Sequence, residues 1–138
     1  MNSKEIGNLG EEIACNYLQK KGYKILEKNY SPQFISGPNI GEIDIVAEKE
    51  KTLSFIEVKT LICNSLRSKN SREWASVIFP EDKVNLKKQR KIIKTAQSYF
   101  LENKYPLDTK WQIDVLAIEI DLGRRKARIR YIENAFGG

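Results

Sequence analysis

Residues 41–60 read GEIDIVAEKEKTLSFIEVKT, and the fold of the chain turns on how this stretch alternates. Ile43, Ile45 and Ala47 alternate with Glu42, Asp44 and Val46, and beyond a charged EKEK turn at 48–51 the chain is apolar again at Leu53, Phe55, Ile56 and Val58. A period of two marks a strand with unlike faces, so the stretch predicts two strands joined as a hairpin. On that reading Glu57 and Lys59 share a face, and so do Glu42 and Asp44. Charges on an otherwise apolar hairpin are the anomaly, because Lys and carboxylates are seldom buried unless paired or bound to metal.

Metal-assisted hydrolysis suits this set. Asp44 and Glu57 offer two hard oxygen ligands of the kind Mg²⁺ or Mn²⁺ takes while keeping several waters. The main-chain carbonyl of Val58 is a third candidate ligand. Lys59 would orient or help deprotonate a water and offset charge on a phosphate. The order Asp44…Glu57-x-Lys59 is that of the PD-(D/E)XK nucleases, with Ile43 where the pattern has proline. Alone, such a triple is weak in a charged chain, and an exposed Glu–Lys face on a two-sided hairpin explains the same residues. Its placement on consecutive predicted strands makes it more specific.

Composition narrows the chemistry. The 138 residues suit one domain spanning 1–138, with 41% hydrophobic and 30% charged residues, an ordinary globular mixture. No apolar run approaches the ~18 residues of a membrane span, and the polar start MNSKEIGNLGEE carries no secretory core. The expected location is cytoplasmic, without a membrane partner. Cys15 and Cys63 form no CxxC pattern and are expected as reduced thiols. Histidine is absent, which removes Ser-His-Asp and Cys-His catalysis and most zinc sites. Hydrolysis would therefore rest on carboxylates, Lys and a metal, and the net charge of +6 favours a polyanionic partner.

Outward from the hairpin, Ile6, Leu9, Ile13, Ala14, Tyr17 and Leu18 predict an amphipathic helix over 4–21, ended by Gly22. At ~100° per residue, Glu11 falls on the flank of the apolar face and Glu12 toward solvent. Residues 23–30 read as a first strand, and 31–40, with two prolines, as a loop. Residues 60–80 lack clear periodicity, and a loop of that length beside a catalytic strand suggests a substrate-facing flap.

A second helix is expected over 81–103, its buried side made by Leu86, Ile92, Ile93, Ala96, Tyr99 and Phe100. Lys83, Lys87, Arg90 and Lys94 form a basic stripe opposite, able to track phosphates or simply to be solvated. Lys88 sits at the edge of the apolar side and Gln89 within it. Strands follow at 111–120, with Asp114 amid apolar neighbours, and at 126–132, with Arg128 and Arg130 on one face. The order α-β-β-β-α-β-β predicts an α/β domain with a mixed sheet.

The chain resembles the YraN family of small bacterial endonuclease-like proteins, within the PD-(D/E)XK and Holliday-junction-resolvase-like group. The motifs that carry the resemblance are GNLGEEIACNYLQKKGYKIL, GEIDIVA, FIEVKT, KKQRKIIKTAQSYF, WQIDVLAI and ENAF, in that order over nearly the whole chain. The resemblance implies a restriction-endonuclease-like αβββαβ core. It implies Asp44 and Glu57 as metal ligands, Lys59 as the catalytic lysine and Glu11 as their companion. Lys88, with Gln89, takes the later helix position, and Asp114 is a structural or supporting acid. Residues 31–40 are longer than the link expected before GEID, and 61–82 lack the Arg- and Gly-rich turn usual after EVK.

The expected activity is Mg²⁺- or Mn²⁺-dependent hydrolysis of phosphodiester bonds in DNA, branched or repair intermediates included. The alternatives are a non-catalytic nucleic-acid-binding module on the same fold, and a basic protein that meets an acidic protein partner. A junction resolvase would require a homodimer to present two sites.

Overall fold

A computed structural model describes residues 1–35, 37, 40–63 and 86–135 of the chain. The elements are α1 (Ser3–Lys20), β1 (Lys24–Tyr30), β2 (Ile43–Lys49), β3 (Thr52–Cys63), α2 (Leu86–Glu102), β4 (Lys110–Asp121) and β5 (Lys126–Ile132). They follow the order expected from sequence. The first five residues of the predicted second helix, 81–85, lie outside the described residues, as do 64–80 of the predicted flap, while its first residues, 60–63, belong to β3.

The five strands form one sheet in the order β1-β2-β3-β4-β5. Neighbours are antiparallel except β3 and β4, which run parallel from Thr52↔Lys110 to Cys63↔Asp121. A parallel neighbour needs a crossover rather than a hairpin, and α2 lies in that connection. The chain is thus an α/β protein with a mixed five-stranded sheet flanked by helices, consistent with a restriction-endonuclease-like core.

Two apolar layers hold the helices to opposite faces. Ala14 and Leu18 of α1 bury against Ile45, Ala47, Ile56, Leu116, Ile118 and Ile120. Ala96 and Tyr99 of α2 bury against Val46, Leu53, Phe55 and Ile113. Adjacent residues such as Ile45 and Val46, or Phe55 and Ile56, go to different layers, as alternation requires. Each fully buried Leu or Ile side chain contributes about 1.5–3 kcal/mol.

Local signals set the element ends. Asn2 caps α1, its side chain accepting from the Glu5 amide at 2.8 Å while Glu5 reaches back, a capping box. Gly22, at φ +94°, stops the helix as the amide of Tyr23 returns to the Leu18 carbonyl at 2.9 Å. The β2–β3 turn narrows to Glu50 and Lys51, both left-handed at φ 50° and 64°. That is the hairpin geometry usually given to Asn-Gly.

Candidate functional site

The register Ile45↔Ile56 is the last rung of the β2–β3 ladder on the side away from the turn. One residue further, the two strands part. There the Asp44 carboxylate takes the place of a main-chain acceptor: its Oδ2 accepts the Val58 N–H at 2.8 Å. The side chain is thereby fixed between the diverging strands. Ile43, beyond it, packs in the α2-side layer although Ile45 packs in the α1-side layer, so strict alternation fails at Asp44.

This break corrects one expectation. Glu42 and Asp44 do not share a face. Asp44 lines a cavity of about 470 Å³ on the α1 side together with Glu11, Val58 and Thr60. Glu42 lines a separate cavity of about 350 Å³ on the α2 side, with Glu57. The physical reason is that the β2–β3 ladder ends at Ile45↔Ile56, so Glu42 and Asp44 both lie beyond it, where a period of two carries no information.

Glu57 and Lys59 do share a face, as alternation predicts. Their side chains form an ion pair at 3.3 Å, each about a quarter exposed. Glu11 is half-buried and Glu12 exposed, in agreement with the helical wheel. What brings Glu11 to Asp44 is Gly10. A Cβ at that position would stand 1.9 Å from Thr60 Oγ1, so α1 can press this closely onto β3 only where a side chain is missing. A glycine inside a helix costs about 1 kcal/mol against alanine; that cost is the signal by which sequence could have singled out Gly10.

Electrostatics converge on Asp44. Burial pushes its carboxyl up to about 6, the Val58 N–H opposing, and the charges of Glu11, Glu57 and Glu42 push it further in the same direction. One carboxylate therefore senses acidic groups from α1, from β3 and from the approach to β2. Among the described residues, no three acidic or thiol side chains are gathered closely enough to cage a metal unaided. The donors that Asp44 and Glu11 offer in the α1-side cavity are carboxylate oxygens, the type a hard divalent cation takes.

On α2, Lys87, Arg90 and Lys94 are exposed and Gln89 is half-buried. Lys83 and the side chain of Lys88 lie outside the described residues. Lys87 does more than sit on a stripe facing away, since it lines the α2-side cavity beside Glu57. Lys91 lines it too and was not among the basic residues expected there. Thr95 was also missed. It is fully buried, donates to the Lys91 carbonyl at 2.8 Å and accepts the Gly41 N–H at 3.0 Å, anchoring the approach to β2. Its place one turn beyond Ile92 on the apolar face was the available clue.

Asp114 is structural. Fully buried, it accepts from Gln112 Nε2 at 3.0 Å, from the Asn134 amide at 2.8 Å and from the Tyr131 hydroxyl. It ties β4 to β5 and the turn that follows. Burial, and next the bond to Asp114, raises the Tyr131 hydroxyl above the ordinary tyrosine value.

A profile of the Uncharacterised protein family UPF0102 matches residues 10–118. That span runs from Gly10 through Asp44, Glu57 and Lys59 into β4. The chain belongs to this family. It is the YraN family that the motifs pointed to. A UPF0102 protein of Clostridioides difficile is 39% identical over 136 residues, covering 99% of this chain and 100% of its own. One from Alkaliphilus oremlandii is 37% identical over 134 residues, covering 97% and 99%. A third, from Caldanaerobacter subterraneus subsp. tengcongensis, is 36% identical over 139 residues, covering 99% and 98%. Family membership covers the whole fold and does not by itself assign a reaction. No helix among the described residues is long and apolar enough to cross a membrane.

Proposed function

We propose that this chain is a divalent-metal-dependent endonuclease acting on DNA. The observation that carries the reading is Asp44. A carboxylate held at the parting of two strands is raised to about 6 by burial and by the charges of Glu11, Glu57 and Glu42, and Glu57 is itself paired with Lys59. Such an arrangement costs stability, and strained electrostatics of this kind concentrate at functional sites.

Asp44 and Glu57 would hold Mg²⁺ or Mn²⁺, with the Val58 carbonyl as a further ligand. The bound ion would supply a water of lowered pKa and stabilise charge on the phosphate. Lys59, tethered through Glu57, would orient that water or offset the charge on the phosphate oxygens. Glu11 would keep the cavity acidic from the α1 side. Lys88 would serve as a second cation, and Lys83, Lys87, Arg90 and Lys94 would contact phosphates without reading bases. Presentation of two sites to a branched substrate would need a homodimer.

The test is cleavage of labelled duplex, flap, four-way junction, single-stranded DNA and RNA with Mg²⁺ or Mn²⁺, wild type beside Lys59→Ala. Metal-dependent cutting lost in the variant supports the reading; equal cutting by both defeats the assigned site. A second reading, a binding module that keeps the fold, draws on the lack of a ready three-carboxylate cage among the described residues. It predicts salt-sensitive binding without cleavage.

A further inference from the structure

The α2-side cavity is chemically unlike the acidic one around Asp44. Ile43, Phe55, Ile92 and Ile113 give it an apolar lining. Its polar groups are two ammoniums, Lys87 and Lys91, and two carboxylates, Glu42 and Glu57. At about 350 Å³ it falls at the lower end of small-ligand pockets, which are mostly apolar with a few convergent polar groups. The hydrogen bond from Gly41 to Thr95 fixes the wall where β2 begins.

We infer that this cavity receives a single unstacked nucleobase of the substrate strand, so that the chain selects DNA carrying an unpaired nucleotide next to the bond it cuts. The inference rests on the nuclease reading for the phosphate at Glu57, and it adds the substrate class. The mixture of cations, carboxylate and apolar walls favours this occupant. Lys87 and Lys91, one turn apart on α2, meet the phosphates on either side of the base. Glu42 accepts from an exocyclic amino group, and the isoleucines and Phe55 give the ring an apolar surround. Glu57 lines the cavity and belongs to the cutting site, so the inserted base is a neighbour of the scissile phosphate. A duplex keeps its bases paired and stacked, and offers no free ring to a pocket in a wall.

The experiment measures binding in EDTA, where no cleavage contributes. The probes are a fluorescent single-stranded oligonucleotide, the same strand with one abasic site moved stepwise along it, and a duplex of equal length. Wild type should bind the single strand about tenfold more tightly than the duplex, and one abasic position should weaken binding about tenfold. Ile92→Trp, placed at a half-buried position to fill the cavity, should bind the intact strand as wild type binds that abasic one. The abasic scan on wild type stands even if the variant does not fold. Indifference to every abasic position, or no DNA binding at all, overturns the inference. Base-dependent binding without metal-dependent cleavage would keep the pocket and remove the nuclease reading; cleavage with an indifferent scan would do the reverse.

Discussion

Asp44→Asn should stabilise the protein while abolishing divalent-metal binding. In the folded chain the Asp44 carboxyl sits at about 6 against an ordinary value of 3.8, a difference worth about 3 kcal/mol between its two protonation states. The raised value means the native state holds its proton where the unfolded chain has released it. The associated stability is complete below about pH 4, is lost as pH rises toward 6, and is absent above. At pH 8 the native protein therefore carries a buried charge that asparagine would not. Asparagine keeps an oxygen for the Val58 N–H, though a neutral acceptor gives back part of the gain. The net expectation is a gain of about 2 kcal/mol at pH 8, or roughly 5–8 °C in Tm for a chain of this size. Urea unfolding of both proteins at pH 8 and pH 4 measures it. The advantage should vanish at pH 4, where wild-type Asp44 is already neutral. A variant destabilised at pH 8, or equally stabilised at both pH values, would refute the assignment of a destabilising charge to Asp44.

Four further outcomes follow from the same structure. Metal affinity should fall about tenfold per pH unit below 6, because Asp44 must lose its proton to bind; calorimetric titration at pH 5, 6 and 8 reads this directly. Gly10→Ala should cost about 1–3 kcal/mol through the clash with Thr60 Oγ1, and Thr60→Ala in the same chain should recover part of it in a double-mutant cycle. Glu50→Asn with Lys51→Gly should add about 1 kcal/mol by relieving the left-handed turn, leaving metal binding unchanged. Tyr131→Phe should cost about 1–3 kcal/mol by removing one donor from buried Asp114, with denaturant midpoints as the check.

The fold was legible because its signals were local and redundant. The hairpin of β2 and β3 has alternating faces and a short turn, so Glu57 and Lys59 were bound to fall on one side. The helical wheel placed Glu11 on the flank of α1 without any tertiary knowledge. Asp44 was found by type and spacing, but its surroundings were not. They depend on where the β2–β3 ladder ends, which no periodicity encodes, and for that reason the pairing of Glu42 with Asp44 failed. Gly10 read as an ordinary helix residue because its role exists only across the contact with Thr60. Thr95 is a polar residue that the core accepts because the Lys91 carbonyl and the Gly41 amide satisfy its hydroxyl. Lys91 was passed over because it lies between the apolar seam and the basic stripe, and only the packed cavity shows which side its stem follows.

The most direct measurement is Mn²⁺ binding by electron paramagnetic resonance at pH 8, on wild type, Asp44→Asn and Glu57→Gln. The proposed function predicts that wild type binds Mn²⁺ and that each single substitution removes that binding while the circular dichroism spectrum stays native. Binding that survives in both variants, or no binding by wild type, would contradict a metal held jointly by Asp44 and Glu57.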